Sequence, residues 1–436
     1  MKVLIVTLGT RGDVDPYVAL GKGLRAAGHQ VTVCTSCSFE PIVTGHGLAY
    51  GYMNDDVPKL VRSEEGRRMI DTTAGLWQWL KVARKLAKLS AGMHRRMLED
   101  SWQSAREASP DLIVYHPKAF GAPHFAEALG VPAAVAVAMP LLVPTAEFPC
   151  IGFPGWRLGG RYNRLTYSLF RRLMTLSFGK SVREWRAAHD LPPLARHADP
   201  LLSASGEPVP VLHGYSRHVL PRPADWPRSS AVTGYWFLGG DRAWQPPERL
   251  RHFLDAGDPP VYVGFGSMAG GDPRVRAQVV VEALRRAKVR GVIAAGWGGL
   301  SAGDLPETVL AVDEVPHDWL FPRTAAVVHH GGAGTTAAGL RAGRPTVVCP
   351  FIGDQPFWGR RVHDLGVGAA PIPQKAMTAG RLAAAIRQVT AEPAYRRNAE
   401  ALGEQIRSED GVANAVATLG AIASVARRRS DDDARR

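Results

Sequence analysis

The fold of this chain is decided by residues 324–368, TAAVVHHGGAGTTAAGLRAGRPTVVCPFIGDQPFWGRRVHDLGVG. Ala325 to Val328 is a short apolar, β-branched run, suited to a strand buried on both faces. The turn His329-His330-Gly331-Gly332-Ala333-Gly334-Thr335-Thr336 follows directly. Its glycines let a ligand come close to the backbone, and the helix that follows presents free N–H groups and a positive dipole end. This is chemistry for a diphosphate. A tight strand-to-helix connection that binds nothing would carry the same glycines, so the turn alone leaves both readings open. The next stretch shifts the balance. A second apolar strand, Thr346 to Cys349, runs through Pro350 to Gly353-Asp354-Gln355-Pro356. It places a carboxylate and an amide at the carboxyl edge of a parallel sheet, where open α/β sheets bind ligands.

Outward from that stretch, 436 residues are more than one ordinary domain needs. With 45% hydrophobic and 21% charged residues, the composition is that of a globular protein with apolar material for two cores. Met1 to Leu8 is apolar but short, and it runs into Gly9-Thr10-Arg11-Gly12-Asp13 without a cleavage site. It is expected as a first strand, not a secretion signal. Val131 to Val143, broken by Pro132 and Pro140, is too short to cross a bilayer, so a cytoplasmic protein without an integral membrane segment is expected. Cys34 and Cys37 form a C-x-x-C with no second pair at ligand spacing; with Cys150 and Cys349 they read as ordinary thiols. The net charge of +13 raises the question of nucleic acid, but no nucleic-acid motif accompanies it.

Along the chain, strand Lys2 to Leu8, helix Pro16 to Ala27 closed by Gly28, and strand Gln30 to Thr35 open a doubly wound sheet. The intervening loop lacks the G-x-G-x-x-G spacing of a nicotinamide dinucleotide site. Between Pro58 and Pro110 helical periodicity takes over, with Leu76, Trp79, Leu80, Ala83, Leu86, Ala87, Met97 and Leu98 as its apolar stripe. Strands resume at Asp111 to Tyr115 and Ala133 to Ala138, and a basic, aromatic helical region runs from Trp156 to Arg186. These insertions are expected to wall a pocket, and their charges fit either a solvated face or peripheral contact with an anionic membrane. Residues 1–220 thus form a first domain and 221–260, rich in proline and tryptophan, a linker. A second doubly wound domain covers 261–392. Helices over 393–427 are expected to pack back towards the first domain, and the charged tail 428–436 to be disordered.

The motifs GTRGDVDP at Gly9 to Pro16, HGYSRHVLPRPADWP at His213 to Pro227, VTGYWFL at Val232 to Leu238 and YVGFGSM at Tyr262 to Met268 complete the pattern. With the opening stretch, they resemble the GT-B glycosyltransferases. The resemblance is closest to the family 1 branch of sterol 3β-glucosyltransferases and bacterial natural-product glycosyltransferases, and it runs nearly the whole chain in order. It implies an α/β chain of two doubly wound Rossmann-like domains facing a central cleft, with a nucleotide-sugar donor in the second half. By that resemblance Ser267, His330, Gly332, Gly334 and Thr335 would hold the diphosphate, and Asp354 and Gln355 the sugar hydroxyls. A carboxylate accepts from adjacent hydroxyls, and an amide both donates and accepts. Backbone around Val315 would face the nucleobase, and Thr10 and Gly12 belong to the donor-side loop. In plant small-molecule relatives a tryptophan stacks on the base and a glutamate binds the ribose. Glu314 and Ala338 stand at those positions here, which matches the sterol-like branch and leaves UDP and dTDP both open.

Catalysis is expected from Asp13. Many relatives place a histidine near this turn, yet Gly9 to Pro16 contains none, and the aspartate matches the branch in which a carboxylate takes the acceptor's proton. An alcohol is a far weaker acid than a carboxylic acid, so the proton should move as the bond to the anomeric carbon forms. In-line displacement would convert an α-linked donor to a β-glycoside. No D-x-D-like motif sits in a donor loop, and neither a metal nor another cofactor is expected. The implied reaction moves a hexose, glucose first, from a UDP- or dTDP-sugar to a lipophilic hydroxyl compound such as a sterol, triterpenoid or polyketide. A nucleotide-sugar epimerase on the same scaffold and a non-catalytic small-molecule-binding partner are the alternatives. At residue level, Asp13 as a helix-terminal anion, Asp15 as the cap, His329 as structural and Asp354 as an N-cap are the plain readings.

Overall fold

Val3-Leu4-Ile5-Val6 and Val261-Tyr262-Val263-Gly264 are buried on both faces, which is what continuous apolar runs in parallel sheets require. In the computed structural model they are central strands of two separate sheets. The first joins β1 (Lys2–Val6), β2 (Gln30–Ser36), β3 (Ala49–Met53), β4 (Leu112–Tyr115), β5 (Ala133–Val137), β6 (Val211–His213) and β7 (Ser230–Val232) in the order β3-β2-β1-β4-β5-β6-β7. The second joins β8 (Val261–Gly264), β9 (Gly291–Ala294), β10 (Val309–Val312), β11 (Ala326–His329) and β12 (Thr346–Val348) in the order β10-β9-β8-β11-β12. All pairings within both sheets are parallel. The structure describes every residue except 57–58, 60–75, 195–198, 204, 241–243, 267–272, 295–304 and 435–436, and the side chains of 76–91 and 429–434.

The strand orders decide where a ligand can sit. In each sheet the chain winds one way from a middle strand and then crosses back to wind the other way. Loops part between β1 and β4 in the first sheet and between β8 and β11 in the second. Crevices outside the carboxyl ends of strands at such reversals are the binding sites of doubly wound sheets.

The described helices are α1 (Arg11–Ala26), α2 (Glu40–Gly45), α3 (Leu76–Ala108), α4 (Ala122–Leu129), α5 (Gly159–Ala188), α6 (Glu248–Asp255) and α7 (Pro273–Ala287). They continue with α8 (His317–Leu320), α9 (Ala333–Arg341), α10 (Gln355–Asp364), α11 (Ala379–Ala391), α12 (Pro393–Ser408) and α13 (Gly411–Ala434). Val14, Val18, Leu20 and Leu24 of α1 pack with Ile5, Val33 and Val114 as one core. Ala277, Val280 and Leu284 of α7 join Leu382, Ile386 and Val389 of α11 on Val263 and Val328 as another. Fully burying each larger aliphatic side chain is worth roughly 1.5–3 kcal/mol.

Several boundaries differ from the sequence reading. One unit comprises Met1–Arg217, Pro221–Leu238 and Asp410–Arg436; the other comprises His218–Leu220 and Gly239–Glu409. Residues 221–238 are therefore not linker. β7 pairs with β6, and Trp236 fills the first core. Helix α12 packs on the second unit, where Gly403 lies so close to Gly343 that a Cβ would meet its backbone at 2.8 Å. Only α13 belongs to the first unit, with Ala415 and Leu419 in its core. α13 runs on to Ala434, so most of the expected disordered tail is helical. Helix α1 starts at Arg11, not Pro16, because Thr10 in extended conformation (φ −93, ψ 174) is its N-cap. Of the expected stripe in α3, Met97 and Leu98 are buried; the side chains of Leu76 to Ala87 lie outside the described residues.

Candidate active site

At the carboxyl ends of β1 and β4, where Val6 and Tyr115 are register partners, the first unit concentrates its charged chemistry. Gly9 leaves β1 at φ +137, a backbone conformation L side chains rarely adopt, and a Cβ there would collide with the Asp13 carboxylate. Thr10 donates to Asp13 Oδ2 from its N–H at 2.8 Å and from its hydroxyl at 3.1 Å. The Thr7 hydroxyl donates to the Asp13 carbonyl at 2.6 Å. Asp13 is thus a helix-terminal anion, but through one oxygen only. Its Oδ1 lies 2.9 Å from Lys118 Nζ and 3.5 Å from His116 Nε2. Asp15, read as the cap, instead pairs with Arg11 at 3.2 Å. Gly12 is exposed, and a Cβ there would find no neighbour nearer than Thr10 Oγ1 at 3.8 Å, so packing does not demand a glycine.

His116 and Lys118 were not singled out from the sequence. The signal was their place, directly after the apolar strand Leu112–Tyr115. His116 Nδ1 accepts the backbone N–H of Lys118 at 3.0 Å, which puts the ring proton on Nε2, towards Asp13. Burial pushes the imidazole down to about 4 against the pull of Asp13, so the ring is neutral at pH 7. Tyr17 packs edge-on against it, with ring centroids 5.8 Å apart. Burial alone would raise the Asp13 pKa. Lys118 and His116, with hydrogen bonds from Lys118 and Thr10, outweigh it and hold the carboxyl below its ordinary value of 3.8.

In the second unit, β11 ends in His329 and the glycine turn follows. His329 is buried and its Nδ1 accepts the Gly331 N–H at 2.9 Å, so it braces the turn. Gly331 sits at φ +92, and a Cβ there would meet Val348 Cγ1 at 2.6 Å and the Gln355 carbonyl at 3.1 Å. The turn therefore rests on β12 and on the start of α10. Gly332 is the N-cap of α9, and a Cβ on it would lie 2.5 Å from His330 Nε2. Burial lowers the His330 pKa to about 4, and its Nδ1 is buried without a partner. A bare buried lone pair is tolerated better than a buried N–H, so the ring proton belongs on Nε2, beside the helix end. The N–H groups of Ala333, Gly334 and half-buried Thr335 have no intrahelical acceptor. At Gly334 a Cβ would meet nothing within 4 Å. Folding does not ask for glycine there; close approach of a ligand would.

Asp354 occupies the N-cap position of α10, yet its side chain does not cap. Oδ2 accepts from Trp358 Nε1 at 2.9 Å, which orients the carboxylate. Gln355 departs from expectation. It is only 6% exposed, and its Oε1 accepts the N–H groups of Phe351 at 2.7 Å and Ile352 at 3.2 Å. That pairing fixes the amide's orientation and leaves only its NH2 group for a ligand. Val315 packs its side chain on the cluster of Leu310, Tyr262 and Phe321. Ser267 lies outside the described residues, although neighbouring Gly266 would bring a Cβ within 3.4 Å of the His330 ring. Among the described residues no three His, Cys, Asp or Glu side chains are grouped to hold a metal ion. The four cysteines are free, and burial pushes Cys34 up to about 12.

The Asp13–Lys118 pair has a measurable sign. Its stabilisation is complete above the unfolded carboxyl's value and is lost as pH falls through the lower folded value. Lys118→Met removes the largest opposing charge, so burial gains weight and the Asp13 pKa rises. Carbon-detected NMR of the Asp13 carboxyl should show titration below 3.8 in the native chain and a higher midpoint in the variant. Coincident titrations would contradict the ion pair.

Residues 3–146 match the Glycosyltransferase family 28 N-terminal domain, and residues 293–422 match the Erythromycin biosynthesis protein CIII-like, C-terminal domain. A sterol 3-beta-glucosyltransferase of Arabidopsis thaliana is 36% identical over 421 residues, covering 95% of this chain and 67% of its own length. The sterol 3-beta-glucosyltransferase of Emericella nidulans is 36% identical over 432 residues, 96% of this chain, but the match spans only 30% of the fungal protein. Among solved structures, the glycotransferase of kitacinnamycin gives a TM-score of 0.71 at 21% identity, over 96% of this chain and 98% of that one. Glycosyltransferase VinC in complex with DTDP gives 0.65 at 21% identity, over 97% and 100%. These structures share the two-sheet architecture and the sterol enzymes share the sequence: the chain belongs to family 1 of the GT-B glycosyltransferases, in the branch that includes the sterol 3-beta-glucosyltransferases.

Proposed function

We propose that this chain transfers a hexose, glucose in the first instance, from a UDP- or dTDP-sugar to a hydroxyl of a lipophilic acceptor, with inversion at the anomeric carbon. One observation carries the reading: each sheet reversal bears half of the chemistry. Beside β1 and β4 stands a carboxylate with one oxygen tied to its helix and the other set beside His116 and Lys118. Beside β11 stands a helix end with a glycine cap and a neutral imidazole, next to the Asp354 loop. The names of the sterol relatives support glucose and a sterol or similar alcohol, and the DTDP-bound neighbour supports a nucleoside diphosphate donor of the dTDP type.

Asp13 Oδ1 is the base in this mechanism. His116 is buried and fixed, whereas Lys118 is 52% exposed on a flexible stem, so an acceptor hydroxyl can take the lysine's place. As the acceptor oxygen bonds to the anomeric carbon, the carbon–oxygen bond to the diphosphate breaks and the hydroxyl proton passes to Oδ1. Displacing Lys118 removes the main influence that weakens this base, and the His116 Nε2–H keeps the carboxylate oriented. Charge developing on the diphosphate is met by the α9 N–H groups and His330 Nε2–H. Asp354 and the Gln355 NH2 address the sugar hydroxyls. No step calls for a divalent metal.

The test is incubation with UDP-glucose or dTDP-glucose and a panel of hydrophobic alcohols in the presence of EDTA, with mass detection of the glycoside. Acceptor-dependent release of nucleoside diphosphate is expected. Sugar isomerisation without acceptor would favour an epimerase, and absence of both would contradict an enzyme. Asp13→Asn should lower turnover by about 10²–10⁴-fold, the usual contribution of a general base, while nucleotide affinity holds. Near-native turnover would remove Asp13 from the role. Gly334→Ala should leave the fold as stable or up to about 1 kcal/mol more so. The same change should weaken nucleoside diphosphate binding by about tenfold or more, a loss of at least about 1.4 kcal/mol. Unchanged binding would put the diphosphate elsewhere.

A further inference from the structure

Helix α5 has two unlike faces. One buries Tyr167, Val182 and Trp185 in the first unit, with Phe178 stacked on Phe120 at 4.1 Å between ring centroids. On the other, Leu165, Leu169, Leu173 and Leu176 follow at three- and four-residue spacing and so share one side of the helix. All are exposed, from 45% for Leu169 to 78% for Leu176, and Trp156 and Leu158 just before the helix are exposed as well. Single exposed leucines need no explanation; a continuous row does.

A second row adjoins it. Arg161, Arg172 and Arg183 recur at eleven-residue intervals, about three turns, and therefore stack in one line beside the leucines. All three are exposed, and no carboxylate among the described residues pairs with them. The basic residues that the unit uses for itself lie elsewhere: Arg164 reaches Asp225 at 2.8 Å, and Arg186 is buried against Glu127 at 2.5 Å. Glu184 is the only carboxylate on the helix.

A nucleic acid would satisfy the arginines and not the leucines, and a second copy of this chain would bring the same unpaired arginines to the contact. Hydrocarbon lying behind a layer of negative charge satisfies both rows. We propose that this face docks on an anionic lipid bilayer, with the leucines among the upper acyl chains and the arginines at the level of the phosphates. The helix lies along the surface: no described helix is long and apolar enough to cross a membrane. Docking would hold the unit against a store of lipophilic alcohols.

The experiment is sedimentation of the full chain, without any sugar donor, with vesicles of phosphatidylcholine alone or mixed with phosphatidylserine. Binding to the anionic vesicles is expected to exceed that to the neutral ones at least about tenfold and to fall as salt rises. At about fivefold per arginine, the triple variant Arg161→Gln, Arg172→Gln, Arg183→Gln should lose about a hundredfold in partition. Leu165→Gln, Leu169→Gln, Leu176→Gln should release the chain from vesicles with its circular dichroism intact; if that variant misfolds, the arginine variant decides. Absent binding, equal binding to both vesicle types, or an arginine variant that partitions like the native chain would overturn the proposal. So would a dimer in size-exclusion chromatography that the leucine substitutions dissociate. Because no donor is present, failure here leaves the proposed transfer reaction untouched.

Discussion

An α-helix that begins at the carboxyl edge of a parallel sheet exposes N–H groups that its own backbone cannot satisfy, and this chain answers that constraint in two opposite ways. At α1 the answer is internal. Asp13, in the first turn, brings its carboxylate back over Gly9 onto the Thr10 N–H and hydroxyl. At α9 there is no acidic residue in the first turn, the cap is a glycine, and Gly334 keeps the approach bare. One helix end carries its own anion, and the other has none in its first turn. The division of labour proposed for the reaction, base on one unit and leaving group on the other, follows from that difference.

The arrangement at Asp13 also bears on a tension between its contacts at the helix end and the base role proposed for it. A capping carboxylate is stabilised as the anion, which makes it a poorer base, and the Lys118 cation deepens the effect. The separation of oxygens relieves it. Oδ2 serves the helix, while Oδ1 is held by one fixed and one movable group, so its basicity changes when the movable one departs. His330 is tuned the other way. Burial keeps it uncharged, so its ring stands beside the helix end without adding a buried charge.

Much of this was legible in the sequence because it depends on local rules. Glycines at turns, apolar runs ending in polar loops, and an aspartate shortly after the first strand can all be read from neighbours. His116 and Lys118 were not, since their meeting with Asp13 depends on β4 lying beside β1, a fact of strand order that no local pattern records. Gln355 was read for its chemistry, but its oxygen is taken by the loop that presents it. Periodicity showed that α12 and α13 each have an apolar face without showing which core receives it; the first goes to one unit and the second to the other. The proline rule placed the start of α1 at Pro16, although an extended Thr10 had already begun the helix. In α5 the basic residues were visible, whereas the sorting of its arginines into buried, paired and unpaired rows required the packing.

The central claim is a single in-line displacement, with the acceptor oxygen entering opposite the departing diphosphate. The anomeric configuration of the product tests it most directly. Proton NMR of the glycoside formed from an α-linked nucleotide sugar should show the large coupling of a β-linked glucoside. A product with the small coupling of an α-glycoside would mean retention, and the account of Asp13 as base in one displacement would be wrong.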